Sequence, residues 1–381
     1  MVAADLIRAN EIIAEQRLVG REHATARSGR LEPGASHKSL WQNFVNTEKA
    51  HFRRDSQSKG REALLNESLQ YICSDQALRS LQLDPYWPKW HSPWWHMMLL
   101  DELGLAERIP TKALQMLVKS LEGYLDYFPI SEAEVPPDKD PLAHFMCHCQ
   151  LGCLYQLLAH ANAEVQRIIP FARSWFVKYQ LPDGGYNCDE AVYTRANPRS
   201  SMVSTLPVLE SLLVIAEKDA TNEEFEALDR GAQYVLERHL FRSISRKGAI
   251  IDESWTKLLF PRFYEYDLLR GLAFVVSWAL IRRKTLPLSG ISEALVLLRD
   301  KLQNNSCRVE RQIYSGSSGS KTRVRHSDGT WSRTDASNFA LLSATSELNA
   351  ISPFLTHSWQ STIDGLAELE SCGLLSQEPD Q

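Results

Sequence analysis

The feature that most constrains this chain is a proline that recurs just ahead of an apolar stretch. It appears in Ser92-Pro93-Trp94-Trp95, Asp140-Pro141-Leu142-Ala143, Asn197-Pro198-Arg199-Ser200 and Phe260-Pro261-Arg262-Phe263, with Ser352-Pro353 as a fifth instance. Ser, Asp and Asn cap helix N-termini, and Pro is tolerated as the first helical residue because its missing N–H needs no partner there. The stretches that follow, 97–105, 145–158, 202–215, 268–281 and 339–348, are apolar nearly all round. Helices of that kind are buried on more than one side. Between them lie amphipathic stretches at 110–124, 164–180, 223–239 and 289–303, with apolar residues three and four apart, as in Ala113, Met116, Leu117 and Leu121.

Two kinds of helix thus alternate with a period of about 50 to 60 residues, which implies stacked helical hairpins rather than independent domains. The predicted fold is all-α, an (α/α)5-6 toroid with buried inner helices and more charged outer ones. Its predicted extent is residues 61–375, with a last helix at about 353–372. Residues 1–60 read as an N-terminal arm and linker: a helix over 4–18, then a Gly-, Ser-, Arg- and His-rich segment at 21–38 with no apolar period. Strand signals are weak. The long connections at 130–140, 181–198, 241–260 and 304–333 are of a length usually tied to function or disorder.

Composition excludes several classes. A net charge of −5 argues against a protein that grips nucleic acid. The run 272–281 is well short of the roughly 18 apolar residues of a membrane-spanning helix, so no span is expected. The first residues carry Asp5 and no apolar core, unlike a secretory signal. Seven scattered cysteines fit a reduced, cytoplasmic protein. Oligomeric state is left open.

At Gln180-Leu181-Pro182-Asp183-Gly184-Gly185-Tyr186 the chain resembles the repeat of the terpenoid cyclase and protein prenyltransferase superfamily. Degenerate echoes stand at Asp328-Gly329-Thr330-Trp331 and Lys247-Gly248. The resemblance implies an (α/α) toroid around a central, largely apolar cavity. The Asp-x-Asp-Asp acid of class II cyclases is absent; Asp138-Lys139-Asp140 is its nearest match, with Pro141 in the place of the last acid. Cys188-Asp189 has the wrong order for a prenyltransferase zinc pair. The chain therefore reads as a divergent member whose activity does not transfer directly.

Candidate chemistry concentrates where inner helices begin. On a continuous helix His144, Cys147, His148, Leu151 and Tyr155 share one stripe, and His144 and His148 lie one turn apart. Histidine suits proton transfer near neutral pH, so these two are the expected catalytic pair. The pair also admits zinc, although no third ligand is fixed by spacing; otherwise no cofactor is expected. Asp267 with Tyr264 forms a second expected acid, and an Asp267–Arg270 ion pair is an equal alternative. Trp87, Trp90, His91, Trp94 and Trp95 crowd nine residues. Trp90, His91, Trp94 and Trp95 are read as a substrate-binding wall or, on the plainer reading, as filling for a wide core. Tyr186, Cys188 and Asp189 lie on a loop that can cover the opening, and Arg199, Ser200 and Ser204 suit an anion or simply cap a helix. The basic segment 321–326 reads as a solvated face or lid.

The leading expectation is an enzyme doing acid–base chemistry, a cyclisation, isomerisation or elimination, on an isoprenoid-like natural-product small molecule. Two rivals stand beside it: a carbohydrate-active toroid (hydrolase, lyase or epimerase), and a non-catalytic helical module that binds a partner.

Overall fold

A computed structural model describes residues 2–24 and 58–376. Among the described residues the fold is all-α apart from two small sheets, and its helices form an (α/α) toroid. Inner helices follow one another around the ring: Pro93–Glu102, His148–His160, Met202–Ala216, Leu268–Arg282 and Pro353–Ser371, each packed on the next. Asp75–Leu83, Thr111–Ser120, Ala172–Lys178, Asn222–Leu236 and Leu288–Asp300 form the outer layer. The ring closes where Ser58–Ile72 meets both the first inner helix and the short helix Ala340–Thr345. There the His96 ring stacks on Phe339 at 3.6 Å, and the Trp90 N–H donates to the Ser337 carbonyl at 2.9 Å.

The apolar inner stretches do what their composition requires. Twelve of the thirteen residues of His148–His160 are buried, His160 at its end being the exception. Gly152 permits the close packing of the second and third inner helices, since a Cβ there would lie 2.5 Å from the Pro207 carbonyl carbon. Pro207 sits inside the third inner helix, and its own carbonyl accepts from Gln156 Nε2 at 2.9 Å and Ser211 Oγ at 2.9 Å.

The five prolines do not act alike. Pro93 and Pro353 open their helices, and Ser352 Oγ accepts from the Leu355 N–H as a cap. Pro141, Pro198 and Pro261 instead precede irregular segments, and their helices start later, behind Cys147, Ser201 and Asp267. The expected helix at 339–348 shortens to Ala340–Thr345.

The N-terminal helix runs over Val2–Ala24, longer than expected. Its Ala9, Ile12 and Ile13 join the common core against Leu288–Asp300 and Pro353–Ser371, with Arg8 paired to Asp300 at 2.5 Å. The linker expected at 21–38 lies largely outside the described residues.

The weak strand signals hid a hairpin. Lys321–Arg325 pairs antiparallel with Trp331–Asp335, and Gly329, at φ +82°, makes the turn. The Asp328-Gly329-Thr330-Trp331 echo is therefore a strand turn and not a helix-hairpin repeat. The hairpin rests on the ring: Thr322 Oγ1 accepts from the Lys89 N–H at 2.6 Å, and Trp331 Nε1 donates to Asp140 at 2.8 Å. No described helix is long and apolar enough to cross a membrane.

Candidate functional site

Charged side chains stand at the middle of the toroid. Arg270 makes two hydrogen bonds to Glu210, at 2.8 and 2.6 Å, and two more to the carbonyls of Phe263 and Glu265. The Glu102 carboxylate accepts from the backbone N–H groups of Arg262 and Phe263. Burial raises the Glu102 pKa, against the pull of Arg262 and Arg270. Two small pockets of about 60 and 40 Å³ flank this network and share Glu210, Arg262 and Arg270. Where a central, largely apolar cavity was expected, the Arg270–Glu210 ion pair therefore forms part of the wall of both pockets.

The aromatic wall is also core. Trp90, Trp94 and Trp95 are at most 1% exposed. Trp90 Nε1 donates to the Gly319 carbonyl and Trp95 Nε1 to the Tyr86 carbonyl. His91 stays half-buried beside Tyr71, and burial lowers its pKa.

The structure separates the expected catalytic histidines. His144 lies in a turn ahead of the helix, where its Nδ1 accepts from the Asp140 N–H at 3.0 Å. His148 begins the helix, fully buried among Phe128, Tyr186 and Tyr193, with Nδ1 at 3.0 Å from the Asn187 carbonyl oxygen. Burial pushes its pKa down to about 4. The one-turn spacing that would let the pair share a zinc ion needs a helix from 144 onward, and none forms. Asp267 likewise serves as a cap, accepting from the Arg270 N–H at 2.8 Å and the Leu259 N–H at 2.9 Å. Its carboxylate is thus engaged away from Tyr264, and Arg270 pairs with Glu210 rather than with Asp267.

Tyr186, Ser200 and Arg199 belong to scaffolding around the Gln180–Tyr186 turn. Gly184 adopts φ +89°, with the Arg230 carbonyl 2.3 Å from where a Cβ would stand. Asp183 receives the Ser200 N–H and hydroxyl, and Tyr186 donates to the Phe176 carbonyl. Arg199 is exposed and its carbonyl accepts from Asn187. Asp189 is exposed, caps a short 3-10 turn and faces Arg195 at 3.7 Å.

What gathers instead, at the end where the inner helices start, is a group that sequence reasoning found in part. Lys89 Nζ donates to the Tyr264 hydroxyl at 2.6 Å. Four rings cage that ammonium, with centroids at 4.9 Å for Tyr264, 5.0 Å for Trp90, 5.5 Å for Trp87 and 5.9 Å for Tyr86. Lys89, Tyr86, Trp87 and Tyr264 all keep part of their surface accessible. Burial lowers the Lys89 pKa, opposed by Cys149, Glu265 and Cys147, and burial raises that of Tyr264 well above the usual phenol range. Lys89 was missed because a lysine inside a tryptophan-rich run carries no signal of its burial.

Beside it stand three cysteines. Cys149 Sγ lies 3.3 Å from Cys147 Sγ and 3.5 Å from Cys188 Sγ, and all three sulfurs fall within 4.8 Å of one another. Ser204 Oγ accepts from the Cys188 N–H at 3.1 Å. Hydrogen bonds from Cys147 and Cys149 hold the Cys188 thiol well below its ordinary pKa, with His148 and Ser204 assisting. Cys147, Cys188 and Ser204 were expected here; Cys149 was missed, though Cys147-His148-Cys149 is visible as a Cys-x-Cys pair.

No family model and no curated protein matches the chain. Among solved structures, one titled as a polysaccharide lyase aligns over 96% of this chain and 98% of its own, at 10% identity and a TM-score of 0.40. At that distance neither residues nor activity transfer.

Proposed function

We propose that the chain is an enzyme that performs acid–base chemistry at this mouth, as a lyase-type β-elimination on a carbohydrate bearing a carboxylate. The observation that carries the reading is the 2.6 Å contact between Lys89 and Tyr264 inside a partly accessible aromatic cage. Burial shifts Lys89 toward the neutral amine that a base requires, and keeps Tyr264 in the protonated form that an acid requires. Neutral Lys89 takes the proton on the carbon next to the carboxyl group. The C–H electron pair forms the alkene, the C–O bond to the leaving sugar breaks, and Tyr264 protonates the departing oxygen. Lys89 then returns its proton to the tyrosinate across their shared hydrogen bond, restoring the starting state. Tyr86 and Trp87 offer ring faces on which a sugar packs.

The test is a panel of polyuronates assayed by the ultraviolet absorbance of the unsaturated product. Lys89→Met and Tyr264→Phe are each expected to lower kcat/KM by about 10²- to 10⁴-fold, the usual weight of a positioned acid or base. The wild-type rate is expected to rise with pH through a value below that of an ordinary lysine. Turnover that survives both substitutions sinks the assignment.

A second reading is favoured by one observation: Trp90, Trp94 and Trp95 are buried in the core and form no open wall. That suits a non-catalytic module binding a partner, and it predicts no turnover on any polyuronate. The isoprenoid reading shares the acid–base chemistry, but the centre meant to hold its substrate carries the Arg270–Glu210 ion pair.

A further inference from the structure

We propose that Cys147, Cys149 and Cys188 form a three-thiolate site for a zinc ion whose fourth position is left to an external ligand.

The spacing fits. Tetrahedral zinc with bonds of about 2.3 Å places its sulfur ligands about 3.8 Å apart. The measured separations of 3.3 and 3.5 Å, with the third within 4.8 Å, need shifts of well under an ångström on average to reach that. Three cysteine sulfurs gathered this closely form a ligand set that suits a soft cation.

The start of a helix faces Cys188. The Cys149 N–H points at Cys188 Sγ, 3.5 Å away, from the first turn of the 13-residue helix His148–His160. A helix N-terminus stabilises negative charge and lowers thiol pKa. Zinc uptake displaces the thiol protons.

The site is held and reachable. Cys147 caps the second inner helix, while Cys188 hangs from the loop that Asn187 ties through His148 and Arg199. Cys147 and Cys188 retain accessible surface and Cys149 is 9% exposed, so an ion can enter. His148 is not the fourth ligand: its Nδ1 faces the Asn187 carbonyl, and neither ring nitrogen joins the three sulfurs gathered within 4.8 Å. Three protein ligands with an open position are the pattern of reactive rather than structural zinc. Lys89 and Tyr264 are within electrostatic reach of Cys147 and Cys149.

The test uses the full chain, reduced and stripped of metal, titrated with Co²⁺ and then Zn²⁺. Expected are one equivalent of Co²⁺ with a near-ultraviolet thiolate charge-transfer band, its displacement by Zn²⁺, and protection of three of the seven thiols from a thiol reagent. Cys147→Ser and Cys188→Ser are each expected to weaken Zn²⁺ binding at least about tenfold, comparable to or beyond loss of a supporting group around a metal. Cys372→Ser, at an exposed position, leaves it unchanged. Thermal melts establish that each variant is folded. The proposal is overturned if the cooperatively folded wild type takes up no stoichiometric zinc. It is overturned equally if both folded variants bind as the wild type does, or if air oxidation yields a Cys149–Cys188 disulfide in a chain that shows no metal uptake when reduced.

Discussion

The centre of the ring and its mouth are both polar, and they differ in whether their groups are already satisfied. At the centre Arg270 spends its guanidinium on Glu210 and two carbonyls, and Glu102 is filled by two backbone N–H groups. At the mouth Lys89 has one hydrogen-bonded partner for its ammonium, and three thiols crowd one another. A saturated network holds a fold in one arrangement; an unsaturated, partly accessible one is available for chemistry. The contrast explains why the central position, where a cavity was expected, is the poorer candidate.

The sharpest way to break this contrast is to remove one partner at each place. Arg270→Ala strands Glu210 in a buried setting, and breaking such a pair costs about 3–5 kcal/mol. Lys89→Met removes one hydrogen bond at an accessible edge and is expected to cost about 1 kcal/mol. Urea unfolding of both variants measures the difference. Equal losses would mean that the mouth is as structural as the centre.

A second comparison concerns His148, which links the core to the thiols. Its pKa of about 4 lies below the unfolded value, so the native state prefers the neutral ring. Stability from this preference is complete above about pH 6.5 and is lost as pH falls toward 4. At 1.36 kcal/mol per pKa unit the loss is about 3 kcal/mol. His96, pushed to about 3 by burial first and His91 second, acts in the same direction. Asp84 acts oppositely: burial raises it to about 7, so its native state gains on acidification. Subtracting the pH profile of His148→Phe from that of the wild type isolates the histidine. A difference that stays flat from pH 7 to 4 would show that His148 is not held neutral by its aromatic surroundings.

The ring was legible in the sequence because its inner helices are apolar on every side, which few other architectures require. The proline positions were informative about order but not about starts. Pro141 and Pro261 lie ahead of segments that carry Cys147 and Tyr264 to the mouth, and Pro198 ahead of one that sets Ser200 on Asp183, before their helices begin. That same detour dissolved the His144–His148 stripe, since helical spacing means nothing where no helix runs. Tyr264, Cys147, Cys188 and Ser204 were named as candidates from their residue type and neighbourhood. Lys89 and Cys149 became visible only when long-range packing set a lysine inside four rings and brought residue 188 to residue 149. The hairpin escaped notice because its strands have no apolar face: among Lys321–Arg325 Thr322 alone is buried.

Thr322 also provides the finest test of the boundary between scaffold and site. Its hydroxyl oxygen accepts from the Lys89 N–H at 2.6 Å, so the hairpin holds the backbone that carries the proposed base. Thr322→Val keeps the shape and removes the acceptor, at an expected cost of about 1 kcal/mol in stability. If the hairpin positions Lys89, amide exchange at Lys89 speeds up and kcat falls while KM for a polyuronate is little changed, because binding surfaces on Tyr86 and Trp87 remain. Serine at 322 restores the acceptor and is expected to restore kcat. A variant that loses stability without any change in kcat, and that serine does not rescue, would place Thr322 with the saturated centre rather than with the mouth.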